Sequence, residues 1–277
     1  MKKHPLLFLS VENYSFLFFF VKFKREIYPG KIMKKIASIL AMLFPIVVNA
    51  TEFNTTTRSY SIVLGASRVV MNSGNEAYNL PVENKQDYPV LIETTILNED
   101  SETKSDRYIV TPPLFRLDGG QMNSISIIKA NNDFSEQVES MNWICVKSIP
   151  PSEGSAWIKN DDLKKSGSLN VNILVKNCIK LINRPKSLED TKNASYGKEL
   201  KWSMGNGRLI VENPTPYYIN FGALSVNGQK VTPPVFVKPK SSFIFENVNV
   251  KNNKGKIVWR LIDDYGALTN EYEVLIK

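Results

Sequence analysis

The residue types that ordinarily do covalent chemistry are sparse and poorly spaced for it. The chain carries one histidine, His4, and none after it. Without a later histidine there is no Ser-His-Asp triad, no HExxH zinc site and no Cys–His dyad in the body of the chain. Two acid pairs, Asp161-Asp162 and Asp263-Asp264, are the tempting carboxylates. Adjacent acids in a strand or turn point apart, and no nucleophile and base accompany them, so a hydrolase reading finds no support. No GxxxxGK[ST] or GxGxxG loop is present to cradle a phosphate, so no nucleotide-driven cycle is implied. Two cysteines, Cys145 and Cys178, are too few for a Cys-rich zinc module. The residues therefore point to no enzyme, no cofactor, no metal and no small-molecule substrate.

What remains is recognition. Leu169, Val171, Ile173 and Val175 alternate with Asn170, Asn172, Leu174 and Lys176. Large apolar residues at period two give a strand one strongly apolar face. Such a strand is either an ordinary core-facing strand or an edge strand whose side chains enter another protein's groove.

Formal charge is +8 over 277 residues, but the excess sits at one end. Residues 1–50 hold eight Lys/Arg and two acids, which leaves 27 basic and 25 acidic residues in 51–277. So even a balance supplies no general drive toward nucleic acid. Met33-Lys34-Lys35 is a short basic start, and Ile36 to Val48 is an apolar run of 13 residues interrupted only by Ser38 and Pro45. Val48-Asn49-Ala50 is an acceptable small-residue cleavage site, so 33–50 reads as a secretory signal removed near Ala50. Met33 is the expected start, with 1–32 an upstream over-extension; an unusually long signal and a retained membrane anchor are the alternatives. Export to an oxidising compartment predicts a bridge between Cys145 and Cys178, the alternative being two buried thiols.

The body of the chain predicts an all-β fold. Short runs rich in Val, Ile, Tyr and Phe recur at Tyr60–Val70, Tyr78–Val82, Val90–Leu97, Ser124–Ile128 and Leu169–Leu181. After residue 186 come Lys201–Met204, Arg208–Val211, Tyr217–Val226, Ser242–Phe245, Ile257–Ile262 and Tyr272–Ile276. Turn residues separate them, as at Asn72-Ser73-Gly74, Asp118-Gly119-Gly120 and Asn227-Gly228. That spacing argues for two immunoglobulin-like β-sandwiches, over 51–185 and 186–277. Ser187–Gly197 is polar and reads as a short helix or a disordered connection.

Several motifs in one order resemble the periplasmic chaperones of the chaperone–usher pathway. Ser67-Arg68-Val69-Val70 resembles the family's first-strand signature, and Glu76–Asn84 the segment leading to its V-x-N turn. Thr111-Pro112-Pro113-Leu114-Phe115-Arg116-Leu117, with Gly120-Gln121 and Asn123, is similar to TPP-x-x-RL-x-x-GQ-x-N. Trp143, Ile149-Pro150-Pro151 and Ile179-Lys180-Leu181 with Arg184-Pro185 follow. In the second half Asn213-Pro214-Thr215-Pro216-Tyr217-Tyr218 and Asp264-Tyr265-Gly266-Ala267 complete the set. The polar Ser152–Ser168 segment and the cysteines flanking it resemble the subclass with a long loop before the last strand of domain one, which serves thin surface fibres.

The resemblance implies two sandwiches set at an angle with a cleft between them. It implies a partner, a fimbrial or fibre subunit lacking its last strand, capped by donation of Leu169, Val171, Ile173 and Val175. It implies that Arg68 and Lys180 anchor the subunit's C-terminal carboxylate, and that Glu139, Arg184 and Asp264 form interdomain ion pairs. Delivery to an outer-membrane usher follows, in the periplasm and without ATP. Self-association of the free chain through an apolar edge is a further implication. Thr51–Tyr60 could add a second edge strand. One departure stands out: Ser126 occupies a position where the family usually has Arg, which implies a smaller or rearranged interdomain network. The reading from another class is an exported adhesin or carbohydrate-binding protein, with Trp143, Trp157, Trp202 and Trp259 as sugar platforms.

Overall fold

A computed structural model describes residues 54–131, 133–150, 168–189, 194–205, 207–246, 248 and 254–276. The expected over-extension, signal and cleavage site, the pair Asp161-Asp162, Trp157 and all of Ser152–Ser168 except Ser168 lie outside the described residues. The described chain is otherwise all-β, with two short 3-10 helices, Lys186–Leu188 and Ala194–Glu199, in the stretch expected to be a short helix or a disordered connection; residues 190–193 between them lie outside the described residues.

Domain one is a sandwich of two sheets. One contains β2 (Val63–Leu64), β4 (Ala77–Glu83), β8 (Met122–Lys129) and β6 (Tyr108–Thr111), in that spatial order. The other runs β3 (Arg68–Asn72), β11 (Lys176–Arg184), β9 (Ser140–Ile149), β5 (Val90–Leu97) and β7 (Leu114–Leu117). Val69, Met71, Leu80, Val82, Ile92, Ile125, Ile127, Ile144, Val146 and Leu181 fill the space between them. Each such side chain contributes roughly 1.5–3 kcal/mol of hydrophobic stabilisation.

The run expected at Tyr60–Val70 is broken. Leu64 pairs with Val82 in the first sheet, whereas Arg68 pairs with Lys180 in the second. The chain changes sheets at Gly65, whose N–H donates to Pro81 O at 2.8 Å. A Cβ at Gly65 would stand 2.9 Å from the Pro81 ring, so only glycine allows this close approach.

Leu169–Leu181 also divides. β10 (Ser168–Leu174) pairs in parallel with β1 (Asn54–Tyr60), and the two form a ribbon of their own. At Val175 the partners switch: its N–H donates to Tyr60 O and its carbonyl accepts the Ser148 N–H. β11 then runs antiparallel to β9 and parallel to β3. The root of the ribbon is tied down by Gln86, whose side-chain amide donates to Ser59 O and Ser61 O.

Domain two stacks β12 (Lys201–Gly205), β13 (Arg208–Asn213) and β16 (Ser241–Phe245) on β15 (Gln229–Lys230), β14 (Phe221–Val226), β17 (Gly255–Leu261) and β18 (Tyr272–Ile276). Trp202 and Trp259 pack on each other at 5.2 Å between ring centroids, within the aromatic core. They present no exposed platform for a sugar.

Candidate functional site

Period two along β11 builds the site. Ile179 and Leu181 face the core of domain one, so Lys180, Ile182 and Arg184 face the other way. In register beside them stand Arg68 and Val70 on β3, and Trp143 and Met141 on β9. This face meets domain two through Met141, Ile182 and Tyr218, with Val70, Trp143 and Phe236 packed around them.

Arg184 closes one end. Its Nε donates to Glu139 Oε1 at 2.8 Å, and its two terminal nitrogens grip both oxygens of Asp264 at 2.5 and 2.8 Å. The other Glu139 oxygen accepts the Tyr218 N–H at 2.8 Å. Glu139 is only 3% exposed, and burial pushes its carboxyl above the usual range against the pull of Arg184. Arg184 itself is held firmly protonated: hydrogen bonds and charges of Asp264 and Glu139 outweigh the larger single effect of its burial. Asp263 Oδ1 accepts the Tyr265 and Ala267 N–H groups, so the Asp263-Asp264 pair serves a turn and an ion pair. Ser126 takes no part in this network; it sits in mid β8 beside Asn79 and Thr111.

The other end holds two cations side by side. Arg68 and Lys180 are register partners in the parallel pair β3–β11. Arg68 is 9% exposed; one terminal nitrogen donates to Ile262 O at 3.4 Å, and its buried Nε has no partner among the described residues. Burial lowers its pKa, against the opposing charges of Asp264 and Asp263. Lys180 Nζ donates to Asn220 Oδ1 and, at 2.5 Å, to Val235 O. Trp143 and Phe236 rings flank the ammonium at 5.8 Å each. Burial first, and the Arg68 charge second, push the Lys180 pKa down to about 8. Among the described residues no carboxylate lies within ion-pair distance of either cation. Two adjacent, partly desolvated cations of this kind are chemically suited to hold an anion.

Domain two supplies its share through a rigid loop. Asn213 is fully buried; its amide donates to Tyr217 O and Lys238 O at 2.8 Å, and its Oδ1 accepts from Thr215. That fixes the turn leading to Tyr218 and Asn220. At the opposite loop Gly266 has φ +89°, and a Cβ there would collide with Ser67, the residue before Arg68. Asn220, Val235 and Phe236 escaped the sequence reading. Asn220 lies two residues beyond the Tyr217-Tyr218 end of a recognised motif, and Val235-Phe236 carry no local pattern.

The ribbon is a separate part of the site. Val171 and Ile173 on β10 are 38% and 46% exposed, and Leu174 on the other face is exposed as well. Leu169 belongs to the same strand, paired with Thr55. Val175 is half-buried at the switch point beyond the strand. Among the described residues the edge of β10 away from β1 pairs with no other strand. Cys145 and Cys178, opposite each other on β9 and β11, are joined by a disulfide close to where β10 leaves the sheet.

Comparison with known proteins agrees along the chain. Residues 61–189 match the family described as pili and flagellar-assembly chaperone, PapD N-terminal domain, and 195–273 match pili assembly chaperone PapD, C-terminal domain. The chain is 36% identical over 230 residues to the chaperone protein caf1M of Yersinia pestis, covering 80% of this chain and 88% of that protein. It is 40% identical over 198 residues to the chaperone protein AfaB of Escherichia coli, covering 70% and 79%. The crystal structure of the E. coli chaperone DraB superposes with a TM-score of 0.67 at 37% identity, covering 80% of this chain and all of that one. A Salmonella enterica structure of the SafA pilin in complex with the SafB chaperone gives 0.70 at 29% identity, covering 81% and all of the matched chain. These matches span both sandwiches, and the chain belongs to the pili assembly chaperone family, a family of non-enzymatic proteins.

Proposed function

We propose that this chain is a periplasmic chaperone that captures fibre subunits by strand donation and delivers them to an outer-membrane usher. Chaperones of this pathway are periplasmic, and we assign the route there to removal of a signal near Ala50. β10 adds to an open groove of the subunit, backbone hydrogen bonds giving affinity and Leu169, Val171, Ile173 and Val175 filling pockets. Arg68 and Lys180 hold the subunit's C-terminal carboxylate and so set the register of the donated strand. A slip of one residue would turn every apolar side chain outward. Glu139, Arg184 and Asp264 hold the two domains at the angle that keeps the cation pair open. The step uses no ATP and no cofactor.

The observation that carries this reading is the pair Arg68 and Lys180, adjacent across two strands with no carboxylate in ion-pair range among the described residues. The SafB chaperone solved with the SafA pilin supports the choice of a pilus-type subunit as partner. Co-expression of the full chain with the subunit gene encoded beside it tests the reading. A stoichiometric complex from the wild type that is lost in Lys180→Ala is expected. A subunit that stays soluble alone and never co-purifies would refute it.

A further inference from the structure

Lys180 has three N–H donors, and two are already committed to acceptors of domain two. With the Trp143 and Phe236 rings on its flanks, the ammonium has, among the described residues, one donor left for a ligand. The Asn220 acceptor is itself fixed. Its Nδ2 donates to Tyr218 O at 3.2 Å, which turns Oδ1 toward Lys180. Asn220 is 5% exposed. Its backbone carbonyl accepts the Ile262 N–H at 2.8 Å, and Ile262 O in turn accepts from Arg68. One buried residue thus touches Lys180 by its side chain and reaches Arg68 through a single intermediate.

We propose that Asn220 is the positioning residue of the anion receptor, holding the Lys180 ammonium in place beside Arg68 so that a carboxylate meets two cations already aimed. The inference rests on the capture reading above for its ligand, a peptide C-terminal carboxylate. The domain-two loop is then part of the receptor: Lys180 reaches its working position only when domain two is docked. Arg68 on β3 is the charged group that bears on Lys180, with Asp263 and Asp264 acting on Arg68 from domain two.

The test reads Lys180 directly. The full chain, labelled with isotopic lysine, is titrated by NMR, with Lys180→Arg used for assignment. The wild-type midpoint is expected near 8. Asn220→Ala should lower it by about one pH unit, the scale of a lost hydrogen bond to a charged group. Asn220→Asp, nearly isosteric, should raise it and keeps the test decisive if the alanine variant fails to fold. Midpoints unchanged in every folded Asn220 variant would overturn the proposal. Co-expression with the neighbouring subunit is run in parallel, with complex yield expected to fall in Asn220→Ala. Should the wild type capture no subunit, the capture reading fails, while the titration still decides what Asn220 does to Lys180.

Discussion

The guanidinium of Arg184 grips both carboxylate oxygens of Asp264, 80 residues further along the chain, while its Nε holds Glu139. Arg184 ends the strand that also carries Lys180, so the same β-strand both docks domain two and carries the proposed anchor. The geometry is a planar fork on a carboxylate, which lysine could not reproduce. Domain docking and the proposed anion recognition therefore share one strand.

Removing one partner of this buried network should be costly. Arg184→Met leaves Glu139 buried without its cation, and such a loss is worth roughly 3–5 kcal/mol. Denaturant unfolding should show that loss, together with weaker subunit capture. An Arg184→Met chain as stable as wild type would remove Arg184 from its structural role.

The proposed anchor predicts two opposite pH dependences. Lys180 titrates near 8 in the folded chain, below the usual lysine value of 10.5. Carboxylate capture should be full below pH 8 and weaken above it, by up to tenfold per unit. Fold stability runs the other way. The depressed pKa is a cost present below 8 that disappears between 8 and 10.5, so Lys180→Met should gain most over wild type at neutral pH. Binding and melting curves across pH 6–10 check both, and capture that strengthens above pH 8 would contradict the anchor.

A charge on the ribbon separates binding from folding. Ile173→Lys sits on an exposed position of β10 and should leave circular dichroism and melting unchanged. It should abolish co-purification of the subunit, because the lysine would have to enter an apolar pocket. Lost secondary structure in this variant would mean that Ile173 supports the fold instead.

The disulfide closes a separation of 33 residues. Loop entropy assigns it about 3–4 kcal/mol. Cys145→Ser should lower the melting temperature under oxidising conditions, and a reductant should bring the wild type down to the same value. Equal stability of wild type and variant in oxidising buffer would show the bridge to be idle.

Much of the candidate site was readable through the family resemblance, whose motifs lie in short segments. The Ile179–Pro185 segment places Lys180 and Arg184 on one face simply by alternation, and Leu181 in the core by the same rule. The all-β class followed from run length and turn residues. Where the strands break was harder to see: Gly65 and Val175 sit inside runs that look continuous, and each break is made by a partner far away, Pro81 in one case and Tyr60 with Ser148 in the other.

Composition and pattern alone determined that no histidine follows His4, that the chain folds as β-sandwiches and that it carries an alternating apolar strand. Local physics suffices for these, since side-chain period and residue type act over a few positions. Tertiary structure alone decided that Lys180 is held by Asn220 and Val235, 40 and 55 residues away, and that Val171 and Ile173 stay exposed while Leu181 of the same run is buried. Those outcomes depend on which sheet each half of the strand joins and on how domain two docks, and long-range pairing leaves no mark in a local window.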